Sequence, residues 1–209
     1  DYYSFTLDAP GYVNVWLRND ESEQGSSYVR RLMLLDSDGR ALYGDMQAEG
    51  GEALRSPGVG LAAGTYYICV NNDNLYLNSD TYLVGYAFTP SGGWEREYNG
   101  APEFATPMAA NVAVSGTLTD ADGDFDTDYY TFTVSESCAA LLQLRHEKLG
   151  GNNDIFNVSV LDSALKPVGE AFISYESGET ASGSYRLAPG QYYVKVTAGK
   201  YSSSVRYYL

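Results

Sequence analysis

Hydrophobic and polar residues alternate with a period of two along most of this chain. Tyr3, Phe5 and Leu7 alternate with Tyr2, Ser4 and Thr6, and Val13, Val15 and Leu17 with Asn14, Trp16 and Arg18. The same alternation returns at Tyr66, Ile68 and Val70, at Tyr130, Phe132 and Val134, at Leu142 and Leu144, and at Tyr192, Val194 and Val196. Side chains of an extended strand project to opposite faces in turn, so strict alternation predicts strands with one buried and one wet face. That is the signature of antiparallel sheets packed face to face. No segment carries a convincing 3.6-residue period, so helices are not expected. Turn signals separate the runs: "DSDG" at 36–39, "AAG" at 62–64 and "APG" at 188–190. Gly supplies positive φ in such turns, and Asp caps its own backbone.

The pattern occurs twice. "DYYSFTL" (1–7) matches "DYYTFTV" (128–134), and "LMLLDSDGRAL" (32–42) matches "VSVLDSALKPV" (158–168). "LAAGTYYICV" (61–70) matches "LAPGQYYVKV" (187–196), and "DTYLV" (80–84) matches "VRYYL" (205–209). The blocks keep their order at offsets of 125 to 127 residues, which marks an internal repeat. Each copy has the size of an ordinary domain and enough apolar residues to close a core. The expected architecture is all-β: two tandem antiparallel β-sandwich domains, jelly-roll-like, over 1–90 and 91–209, joined near "TPSGGW" (89–94). The first copy lacks the lead-in that the second has at 95–127, so the chain is expected to begin partway through a module.

Composition sharpens this picture. Among 209 residues there are 20 Tyr, 7 Phe and 22 Gly against 3 Met, a bias toward sheet and tight turns. A formal charge of −14 argues against nucleic acid and anionic membrane surfaces, which select basic faces. No apolar run approaches the roughly 18 residues of a membrane-spanning helix, so no membrane insertion is expected. The two cysteines, Cys69 and Cys138, occupy non-equivalent places in the copies and are compatible with one bridge or with two thiols.

Candidate chemistry is concentrated at 120–128, "DADGDFDTD", where Asp120, Asp122, Asp124, Asp126 and Asp128 alternate into a strand. Five like charges in nine residues repel one another, and a bound divalent cation relieves that repulsion. The bland alternative is a solvated acidic loop. The spacing is not that of an EF-hand: with Gly123 at the sixth position, Leu118 would be the first ligand and Tyr129 the twelfth. His146 is the single histidine, which removes multi-histidine metal sites and leaves one possible base; at a strand end it reads as an exposed or partly packed residue. No P-loop, G-x-S-x-G or H-E-x-x-H pattern occurs, and catalysis is not expected. The period of two turns Tyr2, Trp16, Tyr67, Tyr129 and Tyr193 outward, where aromatic rings stack on sugars or pack on extended polypeptide, or simply stiffen the sheet by cross-strand pairing.

In the second copy, "EREYN" (95–99), "ATPMAANVAVSGTL" (105–118), the acidic approach to "DYYTFTV", the "VLD" block, "LAPGQYYVKV" and a closing Tyr strand follow in order. This order resembles the bacterial pre-peptidase C-terminal domain family, whose relatives include the collagen-binding domains of clostridial collagenases. The resemblance implies a non-catalytic, monomeric accessory module of a secreted or cell-surface bacterial protein. It also implies calcium ligands at Glu95, Glu97 and Asn99 and at Asp126 and Asp128; with Asp124 from the aspartate run, these form the expected metal set. Gly100 departs from the pattern, which often has Asp there. Two readings of function stay open: a module binding a polysaccharide or extracellular matrix protein, and a calcium-braced spacer without a ligand.

Overall fold

A computed structural model describes residues 1–19, 30–48, 52–72, 81–119, 126–201 and 204–209. The chain is all-β. In order, the strands are β1 (Tyr2–Leu7), β2 (Gly11–Asn19), β3 (Arg30–Leu35), β4 (Ala41–Ala48), β5 (Ala53–Arg55), β6 (Val59–Leu61), β7 (Gly64–Asn72) and β8 (Tyr82–Pro90). There follow β9 (Thr106–Pro107), β10 (Ser115–Gly116), β11 (Thr127–Val134), β12 (Cys138–His146), β13 (Asp154–Asp162), β14 (Phe172–Tyr175), β15 (Thr180–Leu187), β16 (Gly190–Ala198) and β17 (Tyr207–Tyr208). A single 3-10 turn, Pro102–Phe104, is the one helical segment among the described residues. The described residues fall into two compact units: 1–92 with Thr119, and 93–118 with 126–209.

Each unit is a sandwich of two sheets. In the first, one sheet runs β1-β7-β3-β4; in the other, β2 pairs with β8 on one edge and with β5 and β6 on the opposite one. In the second, the sheets run β14-β13-β16-β11-β9 and β10-β17-β12-β15. The repeat holds down to register: Phe5 lies opposite Tyr66 as Phe132 lies opposite Tyr192, and Leu34 opposite Ile68 as Val160 opposite Val194. The predicted alternation is the buried face of these strands. Val13, Val15, Leu17, Leu32, Leu34 and Ile68 fill the first core, and Tyr130, Leu144, Phe156, Val158, Val194 and Val196 the second.

The turns repeat as well. Asp36 Oδ1 accepts from the amides of Asp38 and Arg40 at 2.9 and 2.8 Å, and Asp162 Oδ1 from those of Ala164 and Lys166 at 2.8 and 3.0 Å. In the first turn the left-handed position is Gly39 (φ 81°); in the second it is Leu165 (φ 60°).

One difference separates the units. The second adds β9 beside β11 and β10 beside β17, both from the lead-in at 95–118; one sheet thereby has five strands against four, while in the other β15 stands where the first unit has β5 and β6. β9 lies parallel to β11, with Thr106 opposite Tyr130 and Pro107 opposite Thr131. A proline fits there because an edge strand leaves one row of amides without a partner to supply. Cys69 is buried and Cys138 exposed, and both are free thiols.

Candidate metal centre

The lead-in carries acidic side chains into the second sandwich. The lead-in first runs parallel to β10: Trp94 bridges Ser115, the Glu95 amide donates to Ser115 O at 2.9 Å and the Ser115 amide to Gly93 O at 2.8 Å. From there Glu95 and Asn99 turn inward and Arg96 outward, which leaves Glu95 and Asn99 buried. The Glu97–Tyr98 peptide bond is cis. Tyr129 N donates to Asn99 O at 3.0 Å, tying this segment to the start of β11, where Asp128 also faces inward and is buried.

These residues converge. One carboxylate oxygen from each of Glu95, Glu97 and Asp128 lies within 4.8 Å of the others. Glu95 Oε1 accepts from the Thr117 amide at 2.8 Å, and Glu95 Oε2 from the Tyr130 phenol at 2.8 Å. The Tyr207 phenol lies 2.6 Å from that of Tyr130 and donates to Asp128 Oδ2. Glu97 Oε2 accepts from the Asn99 amide at 3.1 Å, while Glu97 Oε1 is enclosed and has no hydrogen-bond partner among the described residues. The Asn99 side-chain amide lies against Asp128 Oδ1 and Glu97 Oε2, 2.9 and 3.2 Å away, and with its nitrogen on that side it donates to both. The three enclosed carboxylates, each with an oxygen within 4.8 Å of the others, suit a cation between them.

The electrostatics follow from enclosure. Burial pushes the Glu95 carboxyl up to about 7, and the charge of Asp126 adds to this, against the Thr117 and Tyr130 hydrogen bonds that hold it down. Burial likewise raises Glu97 and Asp128 well above the usual carboxylate range, followed by the charges of their acidic neighbours. Tyr130 and Tyr207 are raised by burial and then by the nearby carboxylates, so they stay protonated and donate. An all-oxygen set of this kind matches a hard divalent cation such as calcium, which takes six to eight oxygens at about 2.3–2.6 Å, and suits zinc or copper poorly. Glu95, Glu97, Asn99 and Asp128 would hold it, with Tyr130 and Tyr207 orienting the carboxylates from behind.

Of the metal set read from sequence, Glu95, Glu97, Asn99 and Asp128 are thus brought together. Asp126 sits beside them, accepts from the Thr127 amide at 2.7 Å and contributes its charge to all three acids. Asp124 lies outside the described residues. At Gly100 a Cβ would come 2.8 Å from the Tyr98 ring, so a side chain there would displace that tyrosine. Three participants escaped the sequence reading. Tyr130 reads from sequence only as an inward strand position, and Tyr207 only as part of the closing strand that matches 80–84. Gly116, where a Cβ would lie 2.5 Å from Glu95 Oε2 and from the Tyr130 hydroxyl, gave no signal.

The outward aromatics are spread over several faces. Tyr2 is 70% exposed and Tyr67 partly buried on the outer face of the β1-β7 sheet, while Trp16 lies across Gly85 on the opposite sheet. Tyr129 and Tyr193 are partly buried on the outer face of the second unit, with Lys195 Nζ 5.7 Å from the Tyr129 ring. His146 differs from expectation: it is 5% exposed, with Nε2 2.9 Å from Ser174 Oγ and Nδ1 2.7 Å from Glu147 O. Ser174 comes from β14 in the other sheet, is 1% exposed, and with the Phe156 ring packs against the histidine, so this serine–histidine pair is buried.

No family model matches the sequence, and neither does any curated protein. Among solved structures, the chain is similar to the pre-peptidase C-terminal domain of collagenase from Bacillus anthracis, with 20% identity and a TM-score of 0.40 over 53% of this chain and 96% of that one. It is also similar to isomalto-dextranase of Arthrobacter globiformis T6, with 14% identity and a TM-score of 0.34; the likeness spans the whole chain but 32% of that enzyme. The PBSX exported protein XepA matches at 16% identity and a TM-score of 0.32, over 95% of this chain and 81% of that one. No helix among the described residues is long and apolar enough to cross a membrane.

Proposed function

We propose that the chain is a non-catalytic accessory module of an exported protein, built on a sandwich that binds calcium through Glu95, Glu97, Asn99 and Asp128. One observation carries the metal reading: Glu95, Glu97 and Asp128 each bring an enclosed carboxylate oxygen within 4.8 Å of the others, and Glu97 Oε1 has no donor among the described residues. Isolated buried charge is costly unless something compensates it, and a divalent cation compensates all of these groups at once. The export reading rests on the ordered motifs of the second copy.

The ligand reading is supported by a cleft of about 890 Å³ in the second unit, lined by Phe132, Leu142 and Leu187 together with Glu136, Gln143 and Arg145. A mostly apolar cleft with a few polar groups in its lining suits a polysaccharide or an extended protein segment. The spacer reading is favoured by the scatter of Tyr2, Tyr67 and Trp16 over opposite sheets, which offers no single aromatic platform.

Thermal unfolding of the full chain in calcium, in magnesium and in excess chelator tests the metal. Calcium raises the melting temperature, and Asp128→Ala removes most of the increase. Identical curves in calcium and chelator end the proposal. Retention on insoluble polysaccharides and fibrous collagen, with and without calcium, then separates the module from the spacer: the spacer is retained on neither.

A further inference from the structure

The outer face of the β10-β17-β12-β15 sheet gathers positive charge in a chain whose net charge is −14. One row crosses this face from strand to strand. Thr180 lies opposite Arg145, Arg145 opposite Tyr208 and Tyr208 opposite Ser115, with Trp94 bridged to Ser115. Arg206, two residues before Tyr208, turns to the same side of the sheet. Its guanidinium carbon lies 4.6 Å from the Trp94 ring centre and 4.6 Å from that of Tyr208, and it donates to Ser115 Oγ at 2.7 Å. The Arg145 guanidinium carbon lies 6.0 Å from the Tyr208 ring centre. Both arginines are exposed, and among the described residues no carboxylate pairs with either.

The sandwich does not need this stack. In the first unit Leu83 lies opposite Arg18 as Tyr208 lies opposite Arg145, and Thr81 holds the position of Arg206. The same two-sheet fold therefore closes without the ring and without the second guanidinium. From the row, a strip continues along β12 and β15. Thr180, opposite Arg145, marks one end of it, and Arg186, opposite Ala139, marks the other. Six residues at about 3.3 Å each separate those ends, so the strip is about 20 Å long. Between them the outward positions are Gln143, Leu141, Ser182 and Ser184, all exposed. No outward position of these strands carries a carboxylate; Glu147 and Glu179 follow in the turns beyond one end, and Glu136 precedes the other.

We propose that this strip binds an acidic polysaccharide, with Arg206 and Arg145 taking one anionic group and Arg186 another farther along the polymer. Two rings and the Ser115 hydroxyl hold the Arg206 guanidinium in place, so its remaining N–H groups form a fixed planar fork. Such a fork matches the paired oxygens of a carboxylate or a sulfate. Ser182, Ser184 and Gln143 suit the neutral hydroxyls of the sugars between, and Leu141 their C–H faces. Spacing separates this ligand from other polyanions. Three arginines spread over about 20 Å suit the sparse charge of a sugar polymer, whereas a nucleic acid duplex carries one charge in about every 1.7 Å. At physiological salt, exposed charges more than about 8 Å apart are largely screened, so acids on other faces do not cancel arginines in contact. The inference deepens the accessory-module reading and rests on it.

Calorimetric titration of the full chain with tetragalacturonate tests it, beside a sulfated carrageenan tetrasaccharide, isomaltotetraose and tetraglutamate. The first two present carboxylates and sulfates on sugars, the third is a neutral sugar and the fourth an acidic peptide. Saturable binding of one or both acidic sugars is expected, the stronger naming the anionic group, with no comparable binding of the other two. Arg206→Gln should weaken binding about tenfold, the loss of one charge-assisted contact. Arg206→Lys should recover only part of that, because a point charge lacks the fork. Arg186 is exposed, so Arg186→Gln keeps the fold and should also weaken binding; unliganded melting temperatures check each variant. No binding of either acidic sugar, equal binding of tetraglutamate or isomaltotetraose, or binding indifferent to Arg206→Gln and Arg186→Gln overturns the proposal. A chain that is retained on fibrous collagen but takes neither acidic sugar sinks this proposal and leaves the accessory-module reading standing.

Discussion

Tyr130 donates its phenol hydrogen to Glu95 Oε2 at 2.8 Å, with both side chains enclosed in the second sandwich. The tyrosine comes from a core strand and the glutamate from the lead-in, so this bond ties the closing segment to the sheet that it closes. A buried carboxylate stripped of one donor loses about 1–3 kcal/mol. Tyr130→Phe keeps the ring and removes that donor. We expect urea unfolding in chelator to show a loss within this range, and calorimetric titration to show weaker calcium binding, because Glu95 is then free to turn away. An unchanged calcium affinity would mean that the phenol does not orient the ligand.

The architecture was legible because period two is a property of strands alone. Leu7, Val15, Leu34 and Val194 announce both the fold and the face they bury. The lead-in was less legible. "ATPMAANVAVSG" has no clean alternation, since β9 and β10 are two-residue edges held by neighbours rather than by their own pattern. The resemblance pointed to Glu95, Glu97, Asn99 and Asp128, but not to Tyr130, Tyr207 or Gly116, which matter through distance rather than through type. His146 misled because a strand end in sequence need not be a surface in space: Ser174 on the edge strand β14 lies 2.9 Å from its ring.

The acids predict an inverted pH dependence. Glu95 is raised from 4.5 to about 7, chiefly by burial, and Glu97 and Asp128 are raised well above their ordinary values by the same cause. A carboxyl that holds its proton more tightly when folded stabilises the fold below its unfolded value near 4.5. That stability is lost as pH rises through the folded value near 7. At about 1.4 kcal/mol for each tenfold change in proton affinity, Glu95 alone accounts for on the order of 3 kcal/mol. In chelator, the urea midpoint of the second unit should therefore fall as pH rises from 4.5 to 7. In calcium the trend should reverse, because the cation binds the ionised form. Parallel profiles with and without calcium would contradict this account.

Gly116 sets the volume of the site. A methyl group at its α-carbon would lie 2.5 Å from Glu95 Oε2, the Tyr130 hydroxyl and Tyr207 Cζ, closer than real contacts allow. Two of these neighbours belong to buried tyrosines fixed by packing, so the glutamate has to move. Gly116→Ala should lower stability by roughly 1–3 kcal/mol, as overpacked cores do. It should also abolish the calcium-dependent rise in melting temperature. Gly92→Ala, where nothing lies within 4 Å of the added methyl, is the matched control and should leave that rise intact.

The repeated turns offer a test that is independent of metal. Asp36 and Asp162 organise their turns with the same pair of side-chain hydrogen bonds, yet the position held by Gly39 in the first turn is held by Leu165, at φ 60°, in the second. A side chain in the left-handed region costs roughly 1–2 kcal/mol, and Leu165 is exposed, so it recovers little by packing. Replacing it by glycine relieves the strain and gives back part of the gain through a looser unfolded chain. Leu165→Gly should therefore raise stability by about 0.5–1 kcal/mol. The rise should be equal in calcium and chelator, since the turn and the acidic cluster share no residue. A loss of stability would mean that Leu165 packs in solution in a way that its exposure denies.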